Sequence, residues 1–404
     1  MFIGSEELHC FVPLSKELNG AVLGPLRGRT FVCKDLFAVA GHTASFGLPR
    51  WRETHSKSAF TAPVVERLLD AGASMVGLTK LDQLAYSLIG NAGEGEPPLN
   101  PLHPDRFTGG SSSGSASAVA GGLCDFGVGT DTAGSIRVPA AACGLFSIRP
   151  THGNIEAAGV LPLAPSFDVV GFLARDPVTL RDAFAVAAGR PLTAGPIERV
   201  VIPVDCLEGV RPEISAAIVG LATMLKERLG VMVEEGRFAR FTGSEVADLF
   251  ARCQAREIWA INGEWVERNP DVFAPDVAKR LERAELLSRS MEEEKAADLA
   301  ELERYRRDYE AIADNRAITL LPVAPGPPPR RDAGPEELLE FRVGSFSWTA
   351  PSSLTGSPQV VVPVGGPESN RGHGVGLLGA RGADGALLGA LTSLFGEVVG
   401  SPIS

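Results

Sequence analysis

The 404-residue chain has no uninterrupted apolar run of about 18 residues, the length a helix needs to cross a bilayer. Its opening stretch, MFIGSEELHCFVPLSKELNG, lacks a basic region followed by a long apolar segment, so no secretory leader is expected. Basic charge is also short. Lys and Arg number 38 against 49 Asp and Glu, a net charge of −11, and no basic stripe recurs, which argues against a nucleic-acid partner. The six cysteines (10, 33, 124, 143, 206, 253) form no CxxC and no zinc spacing, so they read as reduced thiols packed as small hydrophobes. No Pro/Ser/Gly linker divides the chain and no repeat is evident. These absences predict a soluble cytoplasmic protein built as one large domain over 1–404.

Hydrophobic residues make up 44% of the sequence, ample for a large buried core. The 46 glycines follow no three-residue period, so they mark tight turns rather than collagen. GRTFVCKDLFAVA (28–40) alternates and then runs apolar, as a buried strand with its exit loop does. TAPVVERLLDAGASMVGLTK then reads as an amphipathic helix, a glycine turn and a strand. SASAVAGGLC (helix), DFGVGTD (strand), SIRVPAAACG (helix) and GLFSIRPTHG (strand) follow, an α/β rhythm. It resumes with a helix at 178–189, a strand at ERVVIPV and a helix at 212–230. Residues 275–316 carry apolar positions at helical spacing (Leu281, Leu286, Leu287, Met291, Leu299, Leu302, Tyr305, Tyr309, Ile312) inside a solvated charged face. AITLLPVAP reads as a strand, GPPPRRDAGPE as a rigid loop, SPQVVVPVGG and HGVGLLGAR as a strand pair, and DGALLGALTSLFGEVV as a closing helix.

One stretch resists that scheme. TGGSSSGSASAVAGG, residues 108–122, holds five serines and five glycines. A flexible linker would be flanked by polar, structureless sequence. This one runs straight into patterned apolar sequence, so its small residues point to unusual backbone angles and close approach. A second small-residue turn, GTDTAGSIR, joins a strand to a helix and sets Ser135 at the helix start. Serine there is a common N-cap. The same junction also projects a hydroxyl beside unpaired backbone N–H groups that can bind an oxyanion.

A serine nucleophile needs a base. None of the six histidines (9, 42, 55, 103, 152, 373) lies in a G-x-S-x-G or His/Asp context. Lys34 sits in an otherwise apolar strand, TFVCKDLFAV, where burial lowers an amine's pKa and makes its neutral form available. The structural alternative is a buried ion pair, with Asp35 or a remote acid. Strand neighbours point to opposite faces, which weakens the Asp35 version.

GGSSSGSASAVAGG, GTDTAGSIRVPAAACGLFSIRPTHG and FVCKDLFAVAGHTASFG together resemble the amidase signature family, and the likeness extends to APSSLTGSPQVVVPVG. Through TLLPVAPGPPP and GNIEAAGVLPLAPSFDVVGFLAR the chain is most similar to the indole-3-acetamide hydrolase branch. The resemblance implies a single α/β domain with a central mixed, twisted sheet and helices on both faces. Its signature core would span about 28–176, with a less typical helical and C-terminal part at about 177–404. It also implies a Ser–cisSer–Lys triad: Ser135 as nucleophile, Ser111 as the middle serine on a cis peptide, and Lys34 as base. Ser112 and Thr130 match supporting positions, and the amides of Thr132, Ala133, Gly134 and Ser135 match the oxyanion hole. Ala133 stands where the family has Gly, harmless only if its φ is negative, and Thr108 stands where Pro often precedes the Gly-Gly pair.

The reaction so implied is hydrolysis of a small carboxamide, of aryl- or indolyl-acetamide type, through a serine acyl-enzyme without metal or organic cofactor. The alternatives are a ureide hydrolase of allophanate or carboxybiuret type, which needs cationic residues to hold a carboxylate, and a glutaminase subunit of a tRNA-dependent amidotransferase. A small amide is the expected partner, with a homodimer allowed. Substrate-selecting residues are expected from loops near 83–100 and from 340–358.

Overall fold

The computed structural model describes residues 4–13, 15–192, 195–207, 210–364 and 372–396. Ten strands form one mixed sheet: β1 (Thr30–Lys34), β2 (Ser74–Thr79), β3 (Phe126–Asp131), β4 (Phe146–Arg149), β5 (Val169–Ala174), β6 (Arg199–Pro203), β7 (Met232–Gly236), β8 (Ala317–Pro322), β9 (Gln359–Val364) and β10 (His373–Leu378). Their order is β2-β1-β3-β5-β4-β9-β10-β8-β6-β7. The two ends of the sheet are parallel (β1 with β2 and β3, β6 with β7 and β8) and the middle is antiparallel. Central strands such as β3, β4, β5 and β10 are buried along their whole length, as strands covered by helices on both faces must be. β5 and β7 went unread in the sequence. VVGFLA is a continuous apolar run whose period alone does not separate strand from helix.

The Ser113–Ala120 helix explains the small residues of 108–122. All of it except Ala120 is buried, packed flat on the sheet beside β1 and β3. Large side chains would hold it off. It starts two residues earlier than SASAVAGGLC suggested and stops at Gly121.

The charged segment after 275 forms two helices, Pro275–Ser288 and Glu292–Glu310. Leu281, Leu302, Tyr305 and Tyr309 are buried, while Leu286, Met291, Leu299 and Ile312 are exposed. The break at 289–291 resets the helical phase, so a single apolar stripe does not run through it. Two long helices missing from the sequence reading frame one side of the site: Ser244–Arg268, and Pro335–Thr355, which spans most of the 340–358 range expected to supply substrate residues. The latter carries Pro351 within it, a breaker signal that hides the helix in the sequence.

Candidate active site

β1 ends on Lys34, and the neighbouring strand β3 ends on Thr130 and Asp131, so the sheet brings these side chains to one edge. Lys34 is fully buried. Its Nζ donates to Ser111 Oγ at 2.8 Å and to Thr130 Oγ1 at 3.1 Å. Burial, opposed only in part by the more distant Asp82, Asp131 and Asp168, pulls its pKa from 10.5 to about 7. Asp35 does not pair with it. That carboxylate accepts from His42 Nε2 at 2.7 Å and from the Ser45 amide at 2.8 Å, on the other side of the strand.

The Gly110–Ser111 peptide is cis. The turn is gripped from two directions. The Ser111 carbonyl accepts from the Asp82 amide at 3.3 Å, and the Gly110 amide donates to the Leu88 carbonyl at 2.9 Å. A Cβ on Gly110 would lie 2.0 Å from Asp82 Oδ2, so the approach that defines this turn admits no side chain there. Ser112 ties it to the next loop: its amide donates to the Ser135 carbonyl at 3.2 Å and its Oγ to the Thr130 carbonyl at 3.4 Å.

Ser135 precedes the Arg137–Ala142 helix by two residues and is 3% exposed. Among the described residues its Oγ has no hydrogen-bond partner, and no bond joins it to Ser111 Oγ. It lines a narrow pocket together with Ala133, Ser87, Tyr86, Gln254, Arg342 and Phe346. Among the described residues no histidine lines that pocket.

What shapes the Ser135 loop is Asp131, a residue sequence reasoning passed over. Its carboxylate accepts from the amides of Gly134 (2.8 Å), Ile136 (3.1 Å) and Arg137 (3.3 Å). Arg137 binds it in a fork, Nε to Oδ2 at 2.9 Å and Nη2 to Oδ1 at 2.8 Å, and Arg149 Nη1 adds 3.1 Å to Oδ1. All three side chains are fully buried. Burial opposes ionisation of Asp131, but the two guanidinium groups outweigh it and hold the carboxyl well below its usual range. The D-x-x-x-x-x-R spacing around Ser135 was the signal that could have revealed this fork.

One expectation is corrected by the same bonds. The Gly134 amide is taken by Asp131 and does not face the pocket as an oxyanion donor. The amides of Thr132, Ala133 and Ser135 have no acceptor among the described residues. Ala133 does not have a positive φ, so its Cβ is tolerated. Gly134 takes the turn's left-handed value, +124°. Thr132 Oγ1 donates to the half-buried Asp168 at 2.5 Å, which anchors the start of the loop.

The pocket wall opposite comes from both ranges expected to select substrate. Leu84 and Ala85 have φ of +52° and +56°, a left-handed pair without glycine that costs roughly 1 kcal/mol per residue. The Asp82 carboxylate, capping the amides of Gly90 (3.1 Å) and Ala92 (3.0 Å), holds the segment in place. Tyr86 and Ser87 follow. Arg342 and Phe346 come from the Pro335–Thr355 helix, and Gln254 from the unread Ser244–Arg268 helix.

The profile of the family Amidase matches residues 13–196. Amidase 1 of Arabidopsis thaliana is 34% identical over 91% of this chain and 93% of its own length. Amidase 1 of Oryza sativa subsp. japonica is also 34% identical, over 93% of this chain and 92% of its own. A solved amidase structure superposes with a TM-score of 0.80 at 30% identity, covering 92% of this chain and 85% of that one.

Proposed function

Since the chain belongs to the amidase family, we propose that it converts a small carboxamide to a carboxylic acid and ammonia through an acyl-enzyme on Ser135. The observation that carries this reading is the Lys34–Ser111 contact, 2.8 Å between a hydroxyl and an amine whose burial brings its pKa to about 7. Near neutral pH the amine then spends much of its time as a base. Lys34 takes the Ser111 proton while Ser111 takes that of Ser135, and Ser135 Oγ forms the bond to the amide carbon. The carbonyl electrons move to oxygen, opposite the amides of Thr132, Ala133 and Ser135. One such donor is worth about 10²–10³ in turnover. Collapse breaks the C–N bond and the relay delivers its proton to the departing nitrogen. Water then attacks the acyl carbon, gives its proton to the same relay, and frees the acid and Ser135.

The rings of Tyr86 and Phe346 on the pocket wall favour a flat acyl group, of the aryl- or indolyl-acetamide type. The test is ammonia release from a panel of aryl- and alkyl-acetamides by the wild-type chain and by Ser135→Ala. Release by the wild type alone is expected, and equal release by both would reject Ser135 as nucleophile.

A further inference from the structure

The pocket that holds Ser135 also holds a buried cation with no contacting carboxylate among the described residues. Arg342 is 8% exposed, forms no ion pair among the described residues, and leaves its Nε without a hydrogen-bond partner. Its guanidinium carbon lies 4.4 Å from the centroid of Phe346 and 5.8 Å from that of Tyr86. Ring faces attract a cation but do not satisfy its N–H groups. The surroundings make matters worse. Arg280 approaches the same Tyr86 ring at 5.6 Å, and Asp276, the one acid whose charge favours the Arg342 cation, is itself paired with Arg280 at 3.0 Å. Burial, with the Arg280 charge adding to it, draws the Arg342 guanidinium down to about 9, so it is still cationic at neutral pH.

A second polar group in the pocket is unsatisfied too. Gln254 is 2% exposed, and its Oε1 is buried with no partner. Folded proteins rarely bury such groups without use, because each unpaired polar atom costs about 1–3 kcal/mol and an unpaired charge more. A guanidinium fork facing a small space suits a planar anion, and the free Gln254 oxygen beside it suits an N–H or O–H donor on the same ligand.

We propose that Arg342 binds a carboxylate carried on the acyl part of the substrate, so that the preferred amides are anionic rather than neutral. The inference rests on the proposed hydrolysis for the identity of the substrate, but its binding step does not need turnover. An amide whose carbonyl sits at Ser135 would place its far end against Arg342, and a carboxylate there would supply the missing counter-charge. This also gives the cation that a carboxylated ureide would require.

The experiment compares matched anionic and neutral amides, glutaramate with valeramide and 4-carboxyphenylacetamide with phenylacetamide, by calorimetric binding to the Ser135→Ala chain. Each anionic member is expected to bind at least about tenfold tighter, a ratio typical of one charge-assisted pair worth about 1.4 kcal/mol. In the Ser135→Ala, Arg342→Met double variant that preference should vanish while the neutral amides bind as before, and Arg342→Lys should restore part of it. Equal binding within both pairs would overturn the proposal, whether or not the Arg342 variants fold. So would a preference that survives Arg342→Met. If the wild type released ammonia from no amide yet the anionic preference stood, the proposed hydrolysis would fail and the anion site would remain.

Discussion

Replacing Lys34 by Met should make the fold more stable, and more so at acid pH. The folded chain holds this amine at about 7 against 10.5 when free, because burial removes its hydration without a contacting carboxylate in exchange. Between about pH 7 and 10.5 the unfolded chain therefore binds a proton that the folded chain lacks, and stability rises with pH through that window. Below pH 7 both states are protonated and the full cost is present, about 5 kcal/mol at roughly 1.4 kcal/mol per pKa unit. At pH 9 it has shrunk to about 2 kcal/mol. Methionine fills a similar volume, but it leaves the hydroxyls of Ser111 and Thr130 without this partner, a loss of about 1 kcal/mol each that does not vary with pH. The net gain should be about 2–3 kcal/mol at pH 6 and close to zero at pH 9. Equilibrium urea melts of wild type and Lys34→Met at both pH values measure it, and titrations elsewhere cancel in the difference. A stability difference that does not change between pH 6 and 9 would refute the claim that Lys34 is a desolvated, readily deprotonated amine.

Ser135→Ala should abolish ammonia release and leave stability within about 0.5 kcal/mol of wild type, because that hydroxyl makes no hydrogen bond among the described residues; Lys34→Arg should be equally inactive, since guanidinium stays protonated throughout the accessible range. Asp131→Asn should cost about 3–5 kcal/mol in a urea melt, because it strips Arg137 and Arg149 of their buried counter-charge. Gly110→Ala should lower turnover by about 10²-fold or more, as its Cβ cannot occupy a point 2.0 Å from Asp82 Oδ2 unless the Ser111 turn moves.

Most of the strands, the burial of Lys34 and the tight small-residue turn at Ser111 were legible because they depend on local signals. A lysine in an apolar strand and a run of small residues each break a pattern that neighbouring residues establish. The Arg137–Asp131–Arg149 network was not legible, since Arg149 reaches Asp131 only through the pairing of β3 and β4 with β5. The same holds for the Gly134 amide that Asp131 occupies: position in a loop shows that an N–H is spare within the helix, not which carboxylate turns to meet it. Gln254 and Arg342 lie on helices over 80 residues apart that share a pocket only in the folded chain. Nothing along the sequence marks Arg342 as unpaired, because pairing is a property of what surrounds it in space.

The relay from Ser135 to a neutral Lys34 is tested most directly by the pH dependence of Ser135 sulfonylation with phenylmethanesulfonyl fluoride. In that reaction the serine oxygen displaces fluoride from sulfur and its proton leaves through the base. With adducts located by peptide mapping, a single modification at Ser135 is expected, its rate rising through about pH 7 and flattening above it. Modification at another serine, or a Ser135 rate that does not begin to rise until pH 9, would contradict the account.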